Sequence, residues 1–570
     1  MRPVPRITLK AIATASLIAL PGGGATAQTA DAGAYLAARH AGIHNDFADA
    51  AHYYVQALVG DAGNPILMES LIAAQISLGQ TQRALPVARL LAQAQPDNQI
   101  ANMALLAETL NDDDYAAVIA AIDEGRGINP LVNGLIGAWA EVGLGRMSEA
   151  LDRFDAVAEA PGLQHLANYH KALALGLVGD FEGAVAIFAA TGDAALPPTR
   201  RGMMAYAEAL SQLERNDDAI VAFDSVFGPQ PDPGLAALRA DLVDGGIIAR
   251  ASVRNVRDGM AEVFYSAASV LEGETGDAYA LLYARIAEML RPDMVDAHLL
   301  SASLLERLGQ DELAIAAFRA VPGEDPGFYA AEQGRAEALR RAGRDEAALE
   351  VLEQLARSHD DIAVVHVSLG DLLRMQEQFD RAVDSYTRAL TLYDDTTPDH
   401  WVIYFARGIA HERLKNWDAA EADFFTALEL NPDQPQVLNY LGYSWLEMQV
   451  NLEDALAMIE TAVQLRPDDG YITDSLGWGY YKLGRYDEAV VHMERAVELM
   501  SEDPILSDHL GDVYWAVGRE REARFQWRRA LSFEPEEADA ERIRRKLDVG
   551  LDVVLAEEGA PPLVKIVNER

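Results

Sequence analysis

The chain has no cysteine. That one absence removes disulfide frameworks, thiol nucleophiles, thiolate metal sites and lipid attachment at a signal-sequence cysteine, and it suits a protein exported to an oxidising space. Basic residues are also short, lysine above all: 47 Lys and Arg stand against 89 Asp and Glu, a formal charge of −42. A surface of that sign repels phosphate, so nucleic acid and anionic lipid headgroups are excluded as partners. Most of the carboxylates read as solvated helix faces. Any bias they impart is towards basic partners, with binding that weakens as salt rises. Aromatic residues make up only 7% of the chain, and no segment alternates apolar and polar with period two, so half-buried strands are not expected. Beyond Ala11–Leu20 there is no long apolar run, and no integral membrane insertion is expected. Metal-hydrolase, serine-hydrolase, phosphate-loop and dinucleotide motifs are all missing, and the histidines lack metal-ligand spacing. The sequence therefore offers no catalytic residue, no cofactor site and no metal site.

What is present is an alanine that returns about every 34 residues. Ala50, Ala84, Ala117, Ala150, Ala184 and Ala219 form one series, and Ala280, Ala314, Ala348, Ala382, Ala420, Ala455, Ala489 and Ala523 a second. Four residues on stands a large apolar side chain at most sites (Phe154, Phe223, Tyr386, Phe424, Met493, Trp527), and seven on a small or apolar one (Ala389, Ala427, Ala496, Ala530). Those spacings put all three on one helix face. Twelve residues before the alanine comes another small residue, such as Ala336, Gly370, Gly408, Gly477 or Gly511, which marks a first helix pressed against the second. Proline follows several units (Pro96, Pro292, Pro432, Pro467, Pro535), where its missing N–H stops the second helix. A fixed period of this kind implies one helical hairpin repeated in tandem.

The stretch Leu476-Gly477, Tyr480, Gly484, Ala489, Met493, Ala496, and the next unit Leu510-Gly511, Tyr514, Gly518, Ala523, Trp527, Ala530, Pro535, resemble the tetratricopeptide repeat family. The resemblance covers roughly residues 31–535. It implies an all-α fold, a right-handed superhelical solenoid of about fourteen hairpins closed by a C-terminal capping helix. In such a superhelix the first helix of each pair lines the concave face. The resemblance thereby assigns Asn439, Tyr443 and Leu446, then Asp474, Trp478 and Tyr481, then Asp508, Asp512 and Trp515 to the groove, with Trp139 in the same register earlier. Amide, carboxylate and aromatic groups in a strip suit an extended or helical peptide. Trp445, Trp527, Trp417 and Trp401 fall at packing positions. The acidic and aromatic groove does not resemble the basic clamp that some members use for C-terminal carboxylates.

Five segments are expected. Residues 1–27 have the basic start (Arg2, Arg6, Lys10), apolar core and Ala25-Thr26-Ala27 end of a secretory signal cleaved after Ala27, which implies a periplasmic location. Residues 28–228 read as a first array and 229–259, rich in Pro and Gly, as an irregular joint between two arms or a degenerate hairpin. Residues 260–535 read as a second array, and 536–570 as a capping helix with a loose tail after Gly550. The runs around Asn439, Asp474 and Asp508 look like exported bacterial repeat adaptors that bind a carboxyl-terminal processing protease and its substrates. Those adaptors are usually lipoproteins, and this chain lacks the lipid-bearing cysteine. The expected function is a non-enzymatic scaffold for protein or peptide partners, a periplasmic protease or its substrates among them. The alternatives are a glycan-binding or cell-wall-associated protein, or a structural part of an outer-membrane or polysaccharide-export assembly.

Overall fold

A computed structural model describes residues 32–192, 195–227, 233–273, 276–325, 327–393, 395–560 and 562–563. The expected signal segment and its cleavage point lie outside the described residues. Regular structure among the described residues is entirely helical. From Ala32 to Ser532 the helices follow as fourteen pairs in chain order, with one single helix, Pro233–Val243, between the sixth and seventh pairs. None of the described helices is long and apolar enough to cross a membrane.

The repeat spacing has a direct steric cause. In the pair Gly470–Lys482 and Tyr486–Leu499, a Cβ added to Gly477 would lie 2.8 Å from Cγ of Met493. At Gly370 the same added atom would meet the Tyr386 ring at 2.7 Å, and at Gly408 the Phe424 ring at 2.6 Å. The residue twelve before the reference alanine is thus small because the residue four after it fills the space. Thirteen of the fourteen alanines are buried to 1% exposure or less. The exception is part-exposed Ala117 on the short helix Tyr115–Asp123, in the hairpin whose turn reads Asn111-Asp112-Asp113-Asp114. Between paired helices the chain reverses through a left-handed residue, Gly484 at φ +73° for instance, a conformation glycine adopts without strain. Ahead of that turn, Asp469 opens the first helix of the same pair by accepting from the N–H of Tyr471 and Ile472 at 3.1 and 3.2 Å, which satisfies donors that the helix itself leaves unpaired.

The chain divides into two compact units, Met1–Ala342 and Gly343–Arg570. In the first unit the segment expected as a joint is a return strap. Leu242 and Ile248 join the core of the sixth hairpin with Leu210 and Ala219. Ser211 Oγ accepts from Ile248 N at 3.0 Å, and Glu208 accepts from the N–H of Ala251 and Ser252 at 3.1 and 3.0 Å. The chain then turns back. Helix Val256–Leu271 packs on the first helices Gln99–Asn111, Pro130–Gly143 and Gln164–Val178, and its partner Asp277–Leu290 packs on Pro65–Ser77 and Gln99–Asn111. The seventh hairpin therefore occupies the inner face that the first helices of the earlier pairs create. Arg257 pairs with Asp113, Asn129 Nδ2 donates to Tyr283 Oη at 3.0 Å, and Arg285 Nε donates to the Ser77 carbonyl at 3.1 Å. This is why the first compact unit extends well past residue 260.

The second unit begins with Asp345–Ser358 and continues through five hairpins to Ser532, followed by the expected cap, Glu537–Val549. The tail was expected to be loose after Gly550. Instead, Leu551–Glu557 is a further helix, with Leu551 and Val554 buried.

Candidate functional site

In the second unit the first helices Pro435–Met448, Gly470–Lys482 and Pro504–Ala516 pack side by side, and the expected strip can be followed along them. The strip has an open end and a closed end.

Asn439 and Tyr443 lie at the open end, both part-exposed, while Leu446 is buried under Gly479. Asn439 Oδ1 has no hydrogen-bond partner among the described residues. Burial, with Glu447 and Asp474 nearby, holds the Tyr443 phenol well above its ordinary pKa, so it is a hydrogen-bond donor at any physiological pH. Trp478 follows. Its Nε1 donates to Glu447 Oε1 at 2.9 Å, its ring stacks on Tyr481 at 4.7 Å and on His509 at 4.1 Å, and the Lys482 ammonium sits 5.3 Å over it. Tyr481 itself is buried. Asp474 is also buried and accepts from His509 Nδ1 at 2.9 Å. Burial works against charge on His509, but the carboxylates of Asp474, Asp508 and Asp512 outweigh it and raise the pKa.

The closed end corrects the expectation for Asp508, Asp512 and Trp515. Lys546 of the cap is completely buried, and its Nζ reaches Asp508 Oδ2 and Asp512 Oδ1, each at 2.7 Å. Asp512 also accepts from Trp527 Nε1 at 2.9 Å. Burial raises the Asp512 pKa, and Asp508 adds to that against the pull of Lys546 and Arg542. Trp515, 5% exposed, donates from Nε1 to Asp552 of the last helix at 3.1 Å and lies against Gly550, whose added Cβ would fall 2.6 Å from the ring. The final two helices have taken the place of a partner at these three residues. They bring the counter-charge with them, because a buried carboxylate pair without a cation is prohibitively costly.

Trp139 is corrected too. It is 0% exposed in the first unit, edge-on to Phe154 at 6.1 Å, with Nε1 donating to His170 Nδ1 at 3.3 Å. A Cβ on Gly259 of the returning helix would come 2.5 Å from its ring. The groove register is right, but the groove there is occupied by the chain itself. Trp445 and Trp527 are buried, and Trp401 and Trp417 pack against the core, as expected.

Glu447, which links Trp478 to Lys482 (Lys482 Nζ to Oε2, 3.3 Å), was not among the expected residues. Its signal was available: Glu447 and Lys482 each stand six residues after the leucine of their Leu-Gly pair, opposite charges one repeat apart. What the open end offers is a part-exposed tryptophan, a phenol donor, an amide and a carboxylate.

The tetratricopeptide repeat family model matches residues 273–327, 334–399, 367–435 and 405–470, and a second model of the same repeat matches 474–503. Among solved structures, a tetratricopeptide repeat protein from Parabacteroides merdae is 18% identical, over 44% of this chain and 97% of that one, with a TM-score of 0.38. The APC/C hetero-tetramer Cut9–Hcn1 is 15% identical over 90% and 95%, also at 0.38. YrrB, described as having an unusual peptide-binding site, is 18% identical over 35% and 99%, at 0.27. No curated protein matches the chain in sequence.

Proposed function

We propose that this chain, which carries tetratricopeptide repeats in its second half and the same paired helices in its first, is a non-enzymatic scaffold that holds a protein partner on the inner face of its second unit. The observation that carries this reading is the strip Asn439, Tyr443, Glu447 and Trp478, where three part-exposed residues and one exposed carboxylate stand together on rigid helices. A partner segment can hydrogen-bond to the amide, phenol and carboxylate and pack an apolar side chain on the exposed part of the indole. Binding is at the open end, between Asn439 and Trp478, because the cap fills the face from Asp508 onwards. The first 27 residues support export to the periplasm, and the resemblance of the Asn439, Asp474 and Asp508 runs to exported adaptors supports a carboxyl-terminal processing protease or its substrates as the partner. Sugar stacking on Trp478 is the weaker reading, since Tyr481, His509 and Lys482 already take up ring surface that a sugar would use.

Affinity capture from a periplasmic extract, followed by titration of each captured protein, tests this. Trp478→Ala with Asn439→Ala should weaken binding by at least tenfold while far-UV circular dichroism stays native. Undiminished binding by the double variant removes the strip from the interface. An intact Met1 on the native protein, read by mass spectrometry, removes the periplasm.

A further inference from the structure

In the first unit the returning helix Val256–Leu271 fills the inner face closely at Gly259 and Glu262, but not beyond. Past Glu262 a cavity of about 610 Å³ lies between it and the helices Gln164–Val178 and Arg200–Gln212. Its walls are rings: Tyr169, Phe188, Tyr206 and Tyr265, with Phe188 stacked on Tyr206 at 5.5 Å and Pro197-Pro198 along one side. The volume is that of a small-molecule site, too small for a helix and its side chains.

The electrostatics narrow the occupant. Arg201, at the polar end, is held by Glu262 (Nε to Oε1, 2.9 Å) and by Asp296, while Arg200 lies 3.8 Å from Asp296. Two guanidinium groups and two carboxylates balance, and each is already engaged by the other set. A charged ligand would leave water here for no unpaired counter-ion, at a cost that the apolar walls do not repay.

We propose that this cavity binds an uncharged small molecule built on an apolar ring system. The site is separate from the strip in the second unit.

N-phenyl-1-naphthylamine, a neutral probe of two aromatic ring systems, tests it by fluorescence titration of the full chain. Saturable, blue-shifted enhancement with one site per chain is expected. The sulfonated analogue 8-anilino-1-naphthalenesulfonate should bind at least tenfold more weakly. Val270→Trp and Ser269→Trp each place an indole at the exposed rim of the cavity and should cut affinity at least tenfold with native circular dichroism. Trp478→Ala should leave it unchanged. Non-saturable enhancement, equal affinity for the two probes, or wild-type titrations in both rim variants overturns the proposal. Loss of the signal in Trp478→Ala also overturns it, by moving the site to the second unit, and says nothing against the partner strip.

Discussion

Trp139 and Trp478 hold the same register in their hairpins and meet opposite fates. In the first unit the inner face is covered by the chain's own seventh hairpin, and Trp139 is sealed against Gly259. In the second unit the cap covers only the last hairpin, through Lys546 and Asp552, and Trp478 keeps part of its surface in solvent. A repeat position therefore fixes where a side chain points but not what it points at. A groove residue becomes core wherever another part of the chain arrives to cover it, and stays available only where none does.

That contrast can be broken most forcefully at the two covered ends. Trp139→Ala should destabilise the first unit by about 3–5 kcal/mol, the usual cost of emptying a fully buried indole site, read as a lowered urea midpoint. A stable variant would return Trp139 to the surface. Lys546→Ala should cost the second unit about 3–5 kcal/mol, because Asp508 and Asp512 are left buried without their cation. Adding Asp508→Asn and Asp512→Asn to Lys546→Met should recover much of the loss. No recovery would show that Lys546 acts through packing alone.

Acidity should separate the units by sign. His509 has a folded pKa above its unfolded value near 6.5, so its stabilisation is complete below about pH 6.5 and fades as pH rises through the raised folded value. His170 is the reverse case. Burial takes it down to about 3, so from about pH 6.5 down to 3 the unfolded chain gains a proton that the folded chain refuses, and the first unit loses stability over that interval. His509→Gln should flatten the alkaline limb of the second unit's urea midpoint, and His170→Leu the acid limb of the first. If either substitution leaves its limb unchanged, that histidine does not set it.

The smallest effect sharpens the comparison best. Trp478→Ala should cost about 1 kcal/mol or less of stability, as part-exposed sites do, against the several expected for Trp139→Ala. A loss as large as that of Trp139 would make Trp478 a core residue and remove the strip.

How much was legible beforehand follows from the range of the contacts. Ala489, Met493, Gly477 and Trp527 were readable because the contacts that bury them recur within one hairpin at fixed offsets. The part exposure of Ala117 was not, since the period places it with the buried alanines and the short helix Tyr115–Asp123 departs from the pattern. Of the groove, Asn439, Tyr443 and Trp478 remain on the surface, whereas Tyr481 and Asp474 are spent on neighbours and Asp508, Asp512 and Trp515 on the cap. The losses to the cap were hidden because the covering residues stand outside the repeat: Lys546 and Asp552 come from two final helices with no 34-residue counterpart.

The sequence alone determined a series of helix pairs, their number and which residues each pair buries, because small-residue spacing acts within a hairpin and between adjacent hairpins. Only the tertiary structure decided which inner faces stay open. The return of Val256–Leu290 onto residues such as Tyr169 and Ser77, 93 and 208 positions before their partners, and the docking of Lys546 onto Asp512, depend on charge and shape meeting across long separations, and no periodic pattern in the chain records such meetings.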